Sequence, residues 1–339
     1  MRIRRTLPVV LAVVIVAVAV TAAVQLRKHA PPEAARLLPG ADAFLYVNLK
    51  WVRAVNPDHK LPTITPAPEY QQFLTETGFQ WERDLDEAAC AIHYPSSWPE
   101  GGTAGPVGEP RFSEVLVGKF QGDRLRAYLK RVAQSVENYE SIDIYAIPVQ
   151  GRTFRVAILS GDSVVASNHD DPAVIHGIMD HWRRLASPFS GPALLRHYYK
   201  NVPFASVAWA VVRAVPTAPG WNTMLPKPAT VVFSARYLRA LHLRAEAFTA
   251  SADDARTITD KINVFLALSH SAENSVSAQG TDPDVKAFFD SVQIRQEGDR
   301  AVLSAVVPQG FMHKLLTPPA EPPVSASPES QPATPVKSR

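Results

Sequence analysis

The chain has 339 residues, of which 46% are hydrophobic, and a formal charge of +3 at pH 7. The positive excess comes from the first 28 residues, which hold five of the 35 Lys and Arg and no Asp or Glu, so the rest of the chain has 30 basic and 32 acidic residues. This distribution lacks the concentrated basic segment expected of a duplex-binding protein and argues against nucleic acid as a partner, while the single cysteine excludes an intramolecular disulfide.

The amino-terminal segment 7–24 (LPVVLAVVIVAVAVTAAV) has 18 residues without a charge. As a helix rising about 1.5 Å per residue it would span roughly 27 Å, close to the hydrocarbon thickness of a bilayer. Three arginines precede the segment and two basic residues follow it, so we predict a cytoplasmic amino end. The expected arrangement is a single-pass anchor in the inner (cytoplasmic) membrane that contacts the lipid bilayer through residues 7–24, with a periplasmic or extracellular body. A signal peptide cleaved within 20–23 is the alternative, and it predicts the same export.

Proline-rich and glycine-rich stretches divide the rest of the chain. A proline pair stiffens a short spacer, 29–40, that follows the anchor segment 1–28. At the carboxyl end, 317–339 carries seven prolines among small polar residues and is predicted to be disordered. A loop at 215–229 separates the two predicted halves of the body, residues 41–214 and 230–316.

The body alternates strand and helix patterns. In the first half, apolar or alternating segments predict strands over 43–49, 85–94, 113–120 and 162–168, and a hairpin over 142–149 and 153–159. Apolar residues at helical spacing predict helices over 68–79, 122–135 and 171–182. The second half follows with a strand over 241–250, a helix over 253–269, a hairpin over 292–307 and a helix over 309–316. The expected fold class is α+β, mainly antiparallel sheets with packed helices, built as a duplicated strand–helix–hairpin–helix unit behind one transmembrane helix.

The only cysteine, Cys90, precedes His93 by three positions, a spacing that raises the question of a nucleophile and its base. If 85–94 is a strand, side-chain alternation puts the two residues on opposite faces. A thiolate and its imidazole base must lie within hydrogen-bond reach. Cys90 is therefore interpreted as a small buried residue.

The segment SGDSVV (160–165) resembles the serine block of GDS-type hydrolases over three residues. That family also carries an Asp-x-x-His motif near the end of its domain, and this motif occurs nowhere in the chain. Gly161 and Asp162 fit a plain turn between two strands, which is the interpretation we favour.

The segment 168–182 is the densest His/Asp cluster of the sequence. His176 and Asp180 are i, i+4 neighbours on its predicted helix and could share a metal ion. Because they lie beside the apolar stripe of that helix, toward solvent, an exposed surface pair is the favoured interpretation. The stretch 123–131 of the predicted helix 122–135 is basic, and an ordinary solvated face is favoured there over contact with anionic lipid.

Other signatures of chemistry do not occur in the sequence. It contains no phosphate-binding Gly-x-x-x-x-Gly-Lys loop, nucleophile elbow, Ser-x-x-Lys, His-Glu-x-x-His or Cys-x-x-Cys motif. We therefore predict no catalytic residue, no cofactor and no metal ligands beyond the pair His176 and Asp180.

The segments LLPGADAFLYVNLKWVR (37–53) and EYQQFLTETGFQWERDLDEAACAI (69–92) resemble a family of uncharacterised bacterial envelope proteins found among acidobacteria and their relatives. Its members join an amino-terminal membrane segment to a mature region that opens LP-x-A-D-A-x-x-Y-x-x-L. The likeness is one of pattern over most of 37–316. It implies export and a duplicated α+β body but no substrate, because the family has no established activity.

These features together predict a membrane-anchored envelope protein whose body binds or scaffolds an envelope protein or a lipid without catalysing a reaction. Two alternatives stay open. An envelope hydrolase using scattered Asp, Glu and His residues would be favoured by a concave pocket with a strongly perturbed carboxylate or histidine. A carrier of apolar or lipid ligands would be favoured by a tunnel between sheet and helices.

Overall fold

The structure of the protein is a computed structural model that describes residues 30–55, 68–95, 109–184, 191–216, 225–238, 240–276 and 283–311. Its strands are β1 Ala43–Asn48, β2 Leu85–His93, β3 Arg111–Gly118, β4 Ser135–Tyr139, β5 Ile142–Val149, β6 Arg152–Ile158, β7 Ser163–Ser167, β8 Ala208–Ala214, β9 Ala229–Tyr237, β10 Leu241–Phe248, β11 Gln293–Glu297 and β12 Arg300–Val307. Its helices are α1 Glu33–Leu37, α2 Leu49–Val55, α3 Pro68–Thr77, α4 Trp81–Asp84, α5 Gly122–Val132, α6 Ala173–Arg183, α7 Ala193–Tyr198, α8 Ala252–Val276 and α9 Pro283–Ser291, with a 3-10 turn at Tyr199–Asn201.

Within these ranges the strands form one continuous sheet. Its order is β11-β12-β10-β9-β8-β1-β2-β3-β7-β6-β5-β4, and all neighbours pair antiparallel. The expected α+β class with antiparallel strands is confirmed. Both predicted hairpins are present, and their turn glycines, Gly151 and Gly298, have φ values of +77° and +64°, which a residue without Cβ adopts at little cost.

The main core lies on one side of the sheet, called here the front face. Directly opposed residues of paired strands share a face, so Phe44 of β1 and Val211 of β8 point to the same side. Helices α1, α6 and α7 cover this face, and Ala35, Ile178 and Leu195 from these helices join its buried cluster. The front core thus runs across the middle of the sheet.

The opposite side, the back face, has helices at its two ends. Leu125 and Leu129 of α5 pack with Tyr145 at the β5–β6 end. At the other end, α8 packs through Ile258 against Ala301 of β12. The two ends of the back face therefore have separate small cores.

Some elements differ from the sequence-based expectations. The edge strand β4 has four exposed residues out of five, so no apolar alternation marks it. Strand β8 (AWAVVRA) is rich in alanine, a residue depleted in strands, and it forms because β1 and β9 pair with it. The predicted spacer 29–40 contains α1, whose alanines and leucine are buried, so part of it belongs to the folded body.

Several predictions fall on other parts of the chain. The segment 7–24, the tail 317–339, residues 312–316 of the last predicted helix and 217–224 of the predicted loop lie outside the described residues. Among the described residues, no helix combines the length and the apolar character needed to cross a bilayer.

Candidate functional site

Cys90 and His93 lie on opposite faces of β2, as predicted. Cys90 is on the back face, opposite Leu45 of β1 and Glu114 of β3, and it is half-buried, where the sequence predicts a buried residue. Burial raises the pKa of the Cys90 thiol to about 12, so little of the thiolate that a nucleophile requires forms near neutral pH. The structure does not bring the thiol and the imidazole together.

His93 instead joins two serines on the front face. Its Nε2 lies 3.1 Å from Ser113 Oγ, which lies 3.0 Å from Ser167 Oγ. Burial lowers the pKa of His93 to about 4, with a smaller contribution from His169. The imidazole is therefore neutral at pH 7, and a hydrogen bond joins it to the Ser113 hydroxyl.

This Ser–His pair has the distance of a catalytic pair but not its accessibility. Ser113 is 0% exposed, so a substrate cannot reach its Oγ. Ser167 is also buried and accepts a hydrogen bond from the backbone N–H of His169 at 3.2 Å. The chain of hydrogen bonds satisfies polar groups at the margin of the core, which is a structural role.

The Gly-Asp-Ser segment forms the predicted turn. It joins β6 to β7, and the Asp162 carboxylate accepts hydrogen bonds from the hydroxyls of Ser160 at 2.5 Å and Ser163 at 3.2 Å. Short polar side chains that bond within their own turn are typical of such connections.

His176 and Asp180 on α6 both contact the edge strand β4. The His176 ring stacks on Tyr139 with centroids 4.1 Å apart, and its Nε2 lies 3.1 Å from Glu137 Oε1. The Tyr139 hydroxyl donates to Asp180 Oδ1 at 3.2 Å. The expected exposed pair is thus half-buried, because the unpredicted strand β4 lies against it. Within the described ranges no group of three or more His, Cys, Asp or Glu side chains could hold a metal ion.

A different cluster stands out on the front face, formed by Tyr46, Trp209 and Tyr199 and called here the aromatic cluster. Tyr46 and Trp209 are directly opposed on β1 and β8, with their rings stacked 5.4 Å apart. Tyr199 meets the Trp209 ring edge-on at 5.2 Å. Trp209 is 3% exposed, and its buried Nε1–H has no hydrogen-bond acceptor among the described residues.

A partly buried carboxyl group adjoins the aromatic cluster. Glu87 of β2 is opposite Asn48, and Asn48 Nδ2 donates to the Tyr46 hydroxyl over 3.5 Å. Burial raises the pKa of Glu87, against the lowering effect of its hydrogen bond with the Tyr46 hydroxyl. Burial also raises the pKa of Tyr46, and that of Tyr199 to about 12. Both phenols therefore stay protonated at pH 7.

A pocket of 490 Å³ opens beside the aromatic cluster, where the chain passes from the 3-10 turn to β8. Its lining residues are Tyr199, Lys200, Val202, Pro203, Phe204, Ala205 and Ser206. Phe204 is 71% exposed. Ala205 has a φ of +60°, a left-handed conformation that is strained for a residue with a Cβ. An exposed aromatic ring and local strain in one loop are typical of binding loops.

The lining suits a small ligand that has an apolar part and a negative charge. The volume lies within the range of about 300–1,000 Å³ that small-molecule sites occupy. The rings of Tyr199 and Phe204 supply apolar surface, and Lys200 supplies the one charge. None of the seven described lining residues is Asp, Glu or His, the side chains that most often act as general acid or base at neutral pH.

Sequence reasoning missed this site because its parts come from distant segments. Tyr46, Trp209 and the loop 199–206 carry no shared motif, and only strand pairing brings β1 beside β8. The feature of the sequence that could have indicated the pocket is the apolar pair Pro203-Phe204, which lies between a helix and a strand.

Neither a protein-family model nor a curated protein matches this chain. Crystal form III of TP0453 is similar in structure, with a TM-score of 0.46 and 10% identity over 84% of this chain and 98% of that chain. Crystal form IV of TP0453 gives a TM-score of 0.43 and 9% identity over 84% and 96%. TM-scores below 0.5 establish neither a shared fold family nor a shared function. Membership of the envelope family that the sequence resembles stays a prediction.

Proposed function

We propose that this chain is a membrane-anchored envelope protein whose folded body binds a ligand or partner and catalyses no reaction. The observation that carries the binding role is the pocket at 199–206, whose lining combines aromatic rings with a lysine. The proposed anchor is the uncharged segment 7–24. The inner membrane is its proposed location, with the body on the periplasmic or outer side.

The positions of the perturbed groups support a non-catalytic role. Glu87 and Glu114 have pKa values raised by burial, yet neither lines the pocket. His93 is hydrogen-bonded to Ser113, whose buried side chain a substrate cannot reach. The hydrolase alternative needs such a group at a surface that a substrate can reach.

A carrier of lipid-like ligands is the second candidate. The pocket wall formed by Val202, Pro203 and Phe204 is apolar, and Lys200 lies next to it. An alkyl chain that ends in a carboxylate or a phosphate matches this pairing.

The binding role is tested by identifying what co-purifies with the full chain. After extraction from membranes in mild detergent, small molecules released by organic solvent are measured by mass spectrometry. We expect an enriched compound whose amount falls at least tenfold in the double variant Lys200→Glu/Phe204→Ala, because one change reverses the pocket charge and the other removes its exposed ring.

The control is Lys130→Glu/Val264→Ala, which reverses one exposed lysine on α5 and truncates one exposed apolar side chain on α8. It should retain the compound. Equal recovery from the pocket variant and the wild type would show that the pocket is not the binding site.

The anchoring is tested separately by fusing alkaline phosphatase after residue 316. We expect an active fusion that stays in the membrane pellet after carbonate washing. An inactive fusion, or one that is released from the pellet, would contradict the anchored topology.

We also propose that the body is a duplicated unit. Strands β1–β3 form a meander, helix α5 follows on the back face, and the returning strands end with β7 beside β3. Strands β8–β10 form a second meander, α8 follows on the back face, and the returning hairpin ends with β12 beside β10. The two units would meet at the β1–β8 pair. Strand order thus favours a boundary between the two units ahead of β8. The sequence alone favours the proline-rich loop 215–229 as that boundary.

A further inference from the structure

We infer that the folded body makes a second membrane contact, in which the front face of strands β9, β10, β12 and β11, together with α7 and the 3-10 turn, docks on an anionic phospholipid surface. This surface is called here the basic face. The inference rests on the proposed membrane anchoring and adds to it the side of the body that the membrane meets.

Strand register collects basic side chains on the basic face. Residues that are directly opposed on paired strands lie on the same face of the sheet. By this pairing, five basic residues lie on the front face: Arg236, His242, Arg244, Arg295 and Arg300. Helix α7 and the 3-10 turn add exposed Arg196 and Lys200. The carboxylates that these strands direct to the same side are Glu246 and Glu297. Six Arg or Lys residues against two Glu give this end of the front face a net positive charge.

Two of these arginines form ion pairs with a buried carboxylate. Glu246 is 4% exposed, and it is held by Arg244 Nε at 2.8 Å and by Arg300 Nη1 at 3.2 Å. The arginine side chains remain 36% and 34% exposed. They neutralise the buried carboxylate and still present part of their guanidinium groups outward.

Four other cations differ from these two. The side chains of Arg196, Lys200, Arg236 and Arg295 form no hydrogen bond or ion pair with any described residue. Their charges are available to an external anion, and Arg295 lies exposed on the edge strand β11. Helix α8 packs behind the same strands on the back face, so the cations and the helix lie on opposite sides of the sheet.

The tether enters the body on the front side of the sheet, where α1 lies against β1, β2 and β3. Helix α1 packs in the front core through Ala34, Ala35 and Leu37. Eight residues, 25–32, separate it from the apolar segment, and at about 3.3–3.6 Å per residue they reach no more than roughly 30 Å. A short tether that leaves from the front side holds that side toward the bilayer.

Charge complementarity selects a phospholipid surface with a net negative charge as the occupant. Lys and Arg near a negatively charged leaflet are attracted to it within about a Debye length, roughly 10 Å at 0.1 M salt. A face that is held within reach of a bilayer and carries unpaired cations meets that condition.

The test places a donor fluorophore on either face of the full chain in nanodiscs with acceptor-labelled lipid headgroups. Gln293→Cys labels the basic face and Ala127→Cys labels α5 on the back face, both at exposed positions, in a Cys90→Ala background. We expect energy transfer from position 293 to be several-fold stronger in phosphatidylglycerol-containing discs than in phosphatidylcholine discs, and to fall in 0.5 M salt. Transfer from position 127 should be weak in both kinds of disc.

The variant Arg236→Glu/Arg295→Glu should lower the transfer from position 293 in anionic discs to the phosphatidylcholine level. The matched variant Arg126→Glu/Lys130→Glu, which reverses two exposed cations on α5, should not change it.

Transfer from position 293 that is independent of lipid charge would overturn the docking while leaving the anchor intact. Loss of the chain from all discs would overturn the anchoring, and the docking with it. Energy transfer between two labelled copies would assign the basic face to a second copy of this chain and overturn the proposal.

Discussion

Burial decides what the polar side chains near the middle of the sheet do. Cys90 and Glu114 are cross-strand neighbours on the back face, and burial raises the pKa of both, that of Cys90 to about 12. His93, on the other side of the same strand, has its pKa lowered to about 4 by burial. All three side chains are half-buried and are therefore held toward their uncharged forms.

His93 should make folding sensitive to acid. Its pKa of about 4 in the folded protein lies below the reference value of 6.5, so the unfolded chain takes up the proton first as the pH falls. The free energy of unfolding should therefore decrease from pH 6.5 toward pH 4. His93→Gln, which does not titrate and can still bond to Ser113, should lose less stability over this range. Urea unfolding of the full chain in detergent, followed by tryptophan fluorescence, measures this difference, and parallel pH profiles would exclude His93 as its source.

At the scale of elements, the junction of α4 with β2 and β3 depends on a close backbone approach. Strand β2 has a register irregularity between Leu85 and Glu87. The carbonyl oxygen of Asp84 accepts a hydrogen bond from Lys119 N at 2.8 Å. A Cβ on Gly118 would lie 2.4 Å from that oxygen, so the end of β3 requires glycine for space.

Gly118→Ala should therefore destabilise the protein by about 1–3 kcal/mol, the usual cost of overpacking a site that cannot move freely. Gly161→Ala is the matched control, because a Cβ there meets nothing within 4 Å, and its effect should stay within about 0.5 kcal/mol. Denaturant midpoints of both variants test the difference. Equal midpoints would mean that the α4–β3 contact relaxes without cost.

At the scale of the whole molecule, one core spans the middle of the sheet from β5 to β9. The front cluster includes Ile144 of β5, Phe44 of β1 and Val232 of β9, so it crosses the proposed boundary between the duplicated units. Strand β1 is central, since it pairs with β2 on one side and β8 on the other. A substitution that destabilises β1 should therefore destabilise both ends of the sheet.

Phe44 is 0% exposed, and Phe44→Ala should lower the free energy of unfolding by about 3–5 kcal/mol through lost burial and the cavity left behind. Hydrogen exchange of peptides from β5–β6 and from β10–β12, measured across a urea series, should show both losing protection at the same lower urea concentration. Protection lost at one end alone would show that the two units unfold independently.

Local pattern by itself determined much of this protein. Alternating apolar residues predicted most strands, turn glycines placed both hairpins, and strand periodicity separated Cys90 from His93, because each of these depends on neighbours within a few positions. Only the tertiary structure decided that β8 lies beside β1, that β4 lies against His176, and that the aromatic cluster adjoins a pocket. It also assembled the basic face from residues spread over 196–300, in a chain whose linear charge pattern shows no basic segment there. These features arise from pairings between distant strands, and a side chain's neighbours across a sheet follow from strand order and register, which local periodicity does not specify.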